Sequence, residues 1–173
     1  MQIKLGKVRE HRLIQPFNQQ GIIDGVVIKA LKTIPDDRGY FAEIFRTTEP
    51  IANGFELKQS SITMTRMGVI KAFHYHEKQT DIFLPISGTA KITLIDARTD
   101  SDTYLHANMI IAGEYYLRAV RIPPGVLHGY EVLPDKHMTM VYYTNQSYDV
   151  TDEHRVPYDS PVLAFAGWGI ENR

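Results

Sequence analysis

The feature that most constrains this chain is its punctuation. Short runs of alternating apolar and polar residues are cut repeatedly by glycine and proline, at Pro35-Asp36-Asp37, Gly68, Gly88, Gly113, Pro123-Pro124-Gly125 and Pro134-Asp135. Side chains alternate across a strand, so such runs bury one face of a sheet. Residues 88–95 put Ala90, Ile92 and Leu94 on one face. Residues 138–143 put Met138, Met140 and Tyr142 on one face and Thr139, Val141 and Tyr143 on the other. The same pattern predicts strands over 25–33, 39–45, 57–66, 69–76, 80–86, 106–112, 115–122 and 127–133, with one short helix over 50–56. Many short strands at regular spacing predict an all-β sandwich or barrel of the jelly-roll kind. No repeat, low-complexity tract or linker divides the chain, so 1–173 reads as one domain, long enough for a substantial core. The apolar stretch from Pro161 to Ile170, with the only tryptophan, Trp168, is expected to pack back on the barrel, and the methionines to fill the core.

Charge and cysteine usage limit the chemistry. Lys plus Arg is 19 and Asp plus Glu is 20, a net charge of -1. No basic excess covers a phosphate backbone, which argues against nucleic-acid binding, although a few cations suffice for one diphosphate. The absence of cysteine excludes disulfides, thiolate metal sites and cysteine nucleophiles. Residues 1–20 are polar with no long apolar run, and no stretch reaches the roughly 18 apolar residues of a membrane span. A cytoplasmic location is the expectation.

The chemistry-bearing residues cluster around one strand. His74 and His76 are two apart and are expected on one face, and a turn at 77–79 brings Asp81 toward them. His128 follows the turn Pro123-Pro124-Gly125 at the head of another strand. Gly68, His74, His76, Asp81 and Gly88 stand at the spacing of the first cupin motif, with Asp in the Glu place. Pro123, Gly125 and His128 meet the second, with Val132 in the Asn place. The chain thus resembles the cupin superfamily, which implies a jelly-roll (double-stranded β-helix) barrel. His11, His106, His137 and His154 read as surface or capping histidines, and His137 should face away from Tyr142.

A closer resemblance covers most of the chain. Asp36-Asp37-Arg38-Gly39-Tyr40-Phe41-Ala42-Glu43, Gly68-Val69-Ile70-Lys71-Ala72-Phe73-His74-Tyr75, Asp96-Ala97-Arg98 with Ser101 and Thr103, Ile122-Pro123-Pro124-Gly125 with His128-Gly129-Tyr130, and Tyr142 with Tyr148 and Glu153 stand in order. Together they resemble the dTDP-4-dehydrorhamnose 3,5-epimerase family of nucleotide-sugar epimerases. The resemblance implies an isomerase of a nucleotide-linked 4-keto-6-deoxy sugar in surface-carbohydrate synthesis, acting without a cofactor. His74 is then the base and Tyr142 the opposed acid. Arg38, Glu43, Gln59, Lys71 and His128 are implied as substrate-binding residues. A homodimer is implied as well, in which an N-terminal strand crosses to the partner and contributes to its site.

Four positions depart from that family's pattern. Lys71 replaces an Arg, His76 a Gln, and Asp81 a Lys expected to steady an enolate oxygen. Ser160 stands where the family has the Asp that orients the base, with Asp159 one place earlier. His76 and Asp81 restore the metal-binding cupin pattern, so a second reading is a metal-dependent cupin. It acts on a small keto or hydroxy compound, with His74, His76, Asp81 and His128 around one divalent transition metal. A third is a sugar-nucleotide-binding cupin without catalysis. A His74 that ligates a metal through its reactive nitrogen cannot also abstract a proton, so the readings compete at that residue.

Overall fold

The computed structural model describes residues 1–15 and 20–170. The strands are β1 (Glu10–Leu13), β2 (Val27–Ala30), β3 (Thr33–Asp36), β4 (Gly39–Ala42), β5 (Gln59–Thr65), β6 (Ile70–Tyr75), β7 (Asp81–Ser87), β8 (Thr89–Asp96), β9 (His106–Gly113), β10 (Arg118–Ile122), β11 (Val126–Val132), β12 (Met138–Thr144) and β13 (His154–Arg155). They form a six-stranded sheet in the order β1-β9-β8-β11-β6-β13 and a five-stranded sheet in the order β2-β10-β7-β12-β5. The hairpin β3-β4 stands apart as a two-stranded sheet. This is the all-β jelly roll expected from the punctuation. The predicted helix over 50–56 shrinks to one 3-10 turn, Pro50–Ala52, whose Ile51 and Ala52 are buried. Among the described residues no helix is long and apolar enough to cross a membrane.

Three apolar layers hold the barrel. The inner layer joins the facing sheets through Ala90, Ile92 and Leu94 of β8, Ile110 of β9, Val126 and Tyr130 of β11, Val120 and Ile122 of β10, and Met138 and Met140 of β12. The outer face of the six-stranded sheet buries Phe73, Ile95, Met109 and Leu127 under Leu163, Phe165 and Trp168, so the C-terminal segment packs back as expected. Ile51 lies over Ile82, Leu84 and Ala119 on the other outer face. With both faces covered, β8 is buried at every position. Each fully buried large aliphatic or aromatic side chain contributes roughly 1.5–3 kcal/mol by leaving water.

Polar groups lock the ends of these layers. Asp96 accepts hydrogen bonds from Arg98 Nε (2.8 Å), Ser101 Oγ (2.6 Å) and Thr103 Oγ1 (2.6 Å), and Arg98 Nη2 reaches the Asp24 carbonyl (2.7 Å). The Asp96-Arg98-Ser101-Thr103 motif is therefore a structural network at the end of β8. Lys91 is buried on the outer face of β8 and donates to the Gly167 carbonyl (2.9 Å) and the Gly169 carbonyl, while Gly169 N donates to Glu131 Oε2 (2.7 Å). This latch holds the C-terminal segment. Gly129 marks the tight approach of β11 to β6: a Cβ there would meet the Lys71 carbonyl at 2.7 Å and Ala72.

Two expectations are corrected. Met64 and Met67 are exposed, on and just beyond the edge strand β5, rather than in the core. Pro35-Asp36 is strand and not turn, because β3 pairs only with β4 and an edge strand tolerates a proline. His137 is exposed and accepts from Met67 N (3.3 Å), away from the barrel interior.

Candidate active site

A cavity of about 830 Å³ opens between the two sheets. That suits a small-molecule site, typically about 300–1,000 Å³. The six-stranded sheet and its flanks supply Lys71, His74, His76, His128, Tyr130, Glu153 and Arg155 to its wall. The five-stranded sheet supplies Gln59, Thr63, Asp81, Phe83, Met140 and Tyr142. Alternation explains the placement. In β6, Phe73 faces the outer layer and His74 the cavity. In β12, Met138, Met140 and Tyr142 share the inner face. His74 and His128 are direct partners across β6 and β11, with ring centroids 6.4 Å apart. Tyr142 packs edge-on against Phe83 (6.1 Å), on the sheet opposite His74.

The described carboxylate beside His74 is Glu153, with Oε1 3.4 Å from His74 Nδ1. The same oxygen accepts from Arg155 Nη2 at 2.6 Å and Nε at 3.0 Å. Burial raises the Glu153 carboxyl, but the hydrogen bond and charge of Arg155, with His74 and a Tyr148 hydrogen bond, together outweigh it and the net shift is downward. Burial, reinforced by His128, lowers His74 to about 4 against the pull of Glu153, so its imidazole is neutral at pH 7. Ser160 instead caps a turn, its carbonyl accepting from Leu163 N (3.1 Å) and Ala164 N (3.3 Å), and Asp159 is exposed.

His76, Asp81 and His128 form a separate group. Asp81 Oδ2 lies 3.6 Å from both His76 Nε2 and His128 Nε2, and the three atoms lie within 4.8 Å of one another. Among the described residues these three group closely enough to hold a metal ion together, while His74, the fourth residue of the motif spacing, lies outside the group. The reason is that β6 ends at Tyr75. Beyond it the alternation no longer fixes direction, and His76 turns to donate from Nδ1 to the Asp152 carbonyl (2.7 Å). The Asp152 carboxylate accepts from Glu77 N (2.9 Å), Lys78 N (3.3 Å) and Gln79 N (3.1 Å), pinning the turn that brings Asp81 in. Burial raises Asp81 to about 6 against the opposing effect of His76, and burial with His76 lowers His128 to about 4.

The remaining expected residues divide. Gln59 lines the cavity, donating to Ser61 Oγ (3.1 Å) and accepting from Tyr148 N (3.0 Å). Lys71 is exposed at the rim, 3.5 Å from Thr63 Oγ1. Arg38 and Glu43 lie outside the cavity of their own chain. Arg38 sits at the tip of the β3-β4 hairpin, paired with Asp36 (2.5 Å), and Glu43 pairs with Arg46 (2.9 Å). Among the described residues β3 and β4 pair only with each other, as a separate two-stranded sheet. Sequence reasoning missed Arg155 and Asp152; the apolar Val156 next to Arg155 was a local sign of a strand there.

Comparison with known proteins agrees with this architecture. The family model for dTDP-4-dehydrorhamnose 3,5-epimerase matches residues 20–171. The spore coat polysaccharide biosynthesis protein SpsL of Bacillus subtilis is 42% identical over 154 residues, covering 88% of this chain and 100% of that protein. The probable low-salt glycan biosynthesis epimerase Agl13 of Haloferax volcanii is 32% identical over 142 residues, 79% of this chain and 89% of that one. The crystal structure of the 3,5-epimerase RmlC from Legionella pneumophila, in complex with dTDP-4-keto-L-rhamnose, superposes with a TM-score of 0.78 at 25% identity, covering 88% and 82% of the two chains. A jelly roll with a histidine-lined cavity between its sheets, matched along most of its length, thus has its place: the chain belongs to the dTDP-4-dehydrorhamnose 3,5-epimerase family.

Proposed function

We propose that this protein epimerises C3, C5 or both in a nucleotide-linked 4-keto-6-deoxy sugar, with dTDP as the nucleotide, in carbohydrate biosynthesis. A keto group acidifies the neighbouring C–H bonds. Inversion removes a proton on one face of the ring and returns one on the other. The observation that carries the reading is that His74 and Tyr142 face one cavity from opposite sheets. His74 is neutral and so able to accept a proton, and the Glu153 carboxylate beside Nδ1 steadies the imidazolium that forms. Tyr142 returns the proton from the other side. Removal and return leave the sugar's oxidation state unchanged, so no redox cofactor is consumed.

Lys71 and Arg155 at the rim are suited to a diphosphate. Gln59 contacts the substrate within the cavity, whose wall His128 helps to form. Arg38 and Glu43 serve in a homodimer, each hairpin reaching the partner's cavity. The exposed Ile34, Tyr40 and Phe41 of that hairpin, and Ile62 and Met64 on the edge strand β5, support such an assembly. We assign the protein to the cytoplasm, in keeping with a chain that uses no disulfide.

The test is hydrogen exchange. Incubated in heavy water with dTDP-4-keto-6-deoxyglucose, the protein is expected to place deuterium at C3 or C5 of the sugar, and His74→Ala to abolish this. Heat stabilisation by the nucleotide sugar with no exchange at either carbon would instead indicate a binding protein.

A further inference from the structure

We propose that His76, Asp81 and His128 form a binding site for one divalent transition-metal ion, separate from His74. The argument starts from hydrogen-bond accounting. His76 donates from Nδ1 to the Asp152 carbonyl (2.7 Å), and His128 donates from Nδ1 to the Val126 carbonyl (3.1 Å). Each neutral imidazole has one N–H, so both Nε2 atoms carry lone pairs. Both face Asp81 Oδ2, itself an acceptor and buried without a hydrogen-bond partner. Three acceptors therefore converge on one point with no donor among them.

A proton does not resolve this arrangement. The gaps from Asp81 Oδ2 are 3.6 Å, beyond hydrogen-bond reach of about 3.2 Å, and one proton serves only one gap. A metal answers all three atoms at once. Ligand atoms about 2.0–2.2 Å from a shared ion lie roughly 3–3.6 Å apart. Two imidazoles and a carboxylate suit zinc, iron, cobalt or manganese, and leave coordination positions open to the cavity. The backbone carbonyls behind both rings fix the tautomers in the way metal-ligating histidines are fixed. Gln79 Nε2 donates to Asp81 Oδ1 (2.9 Å) and meets His76 Nε2 at 3.2 Å. It thereby orients the carboxylate, and it yields the imidazole nitrogen to an entering ion.

The experiment uses the full-length, untagged protein, stripped with chelator and dialysed against Zn²⁺, Mn²⁺ or Co²⁺, with bound metal measured by elemental mass spectrometry. The expected result is one ion per chain, a rise in melting temperature on loading that chelator reverses, and visible d–d bands with Co²⁺. Asp81→Asn and His128→Gln are each expected to weaken binding by at least the roughly 10–100-fold that even changes behind a ligand cause. His74→Gln retains the ion. Failure of the unsubstituted protein to bind any of the three ions overturns the proposal without needing a variant. Equal binding by Asp81→Asn overturns it too, and loss of the ion in a folded His74→Gln protein restores the four-residue set in its place. None of these readouts depends on turnover of a sugar, so the site and the epimerase reading fail separately.

Discussion

Glu153 Oε1 stands 3.4 Å from His74 Nδ1 and is held from its other side by Arg155 Nη2 at 2.6 Å. His74, the proposed base, is thus backed by a carboxylate whose own charge is partly balanced. Glu153→Gln keeps the shape and removes the charge. It is expected to slow sugar deuteration by about tenfold, the effect of roughly one pKa unit of lost basicity at His74. His74→Ala is expected to lose the roughly 10²–10⁴-fold that a positioned base supplies. The comparison is made on kcat with KM measured alongside, since a merely binding role for Glu153 would move KM alone.

Tyr142→Phe separates the two halves of the reaction. His74 still removes the proton, and solvent still exchanges it on the face from which it came. Deuterium incorporation should persist while inverted product falls by about 10²-fold or more. Nuclear magnetic resonance of the recovered sugar reads both quantities in one sample. Loss of both in equal measure would remove Tyr142 from the role of acid.

Asp96 carries a pH-dependent share of stability. Burial raises its carboxyl, but the hydrogen bonds from Arg98, Ser101 and Thr103 outweigh that, and the net shift is downward. A carboxyl lowered on folding stabilises fully above its unfolded value, near 3.8, and loses that contribution as pH falls through the folded value. Asp96→Asn is expected to cost about 2 kcal/mol in urea melts at pH 7. The gap to the unsubstituted protein should stay constant down to about pH 5 and close only as the pH falls below about 4.

Lys91→Met removes the latch on the C-terminal segment. The Gly167 and Gly169 carbonyls lose their donor, and Glu131 loses a cation at 3.4 Å. Leaving such groups unpaired costs about 1–3 kcal/mol, a fall of roughly 2–10 °C in melting temperature for a chain this size. Trp168 fluorescence is expected to report loosening before the global transition.

What could be read in advance follows from which forces act locally. β8 and β12 announced themselves because strict alternation fixed their inner faces at Ala90, Ile92, Leu94 and at Met138, Met140, Tyr142. β1 did not, since Glu10–Leu13 is a polar edge strand that joins β9 in parallel along a single side. The spacing of His74, His76, Asp81 and His128 brought all four to one cavity. It could not separate His74 from the other three, because that depends on where β6 stops and on Asp152, a residue far along the chain that holds the intervening turn. The carboxylate beside His74 was hidden for a similar reason. Glu153 reaches His74 only because the short β13 pairs with the end of β6, setting His154 against Tyr75 and Arg155 against His74.

Phe73 packs against Phe165 (6.1 Å) and Trp168 (5.4 Å) on the outer face of β6, one residue before His74 on the inner face. The wall behind His74 is therefore built from residues more than ninety positions later in the chain. The setting of that histidine thus depends on a contact of long sequence separation, whose loop-closure entropy must be overcome before the packing rewards it.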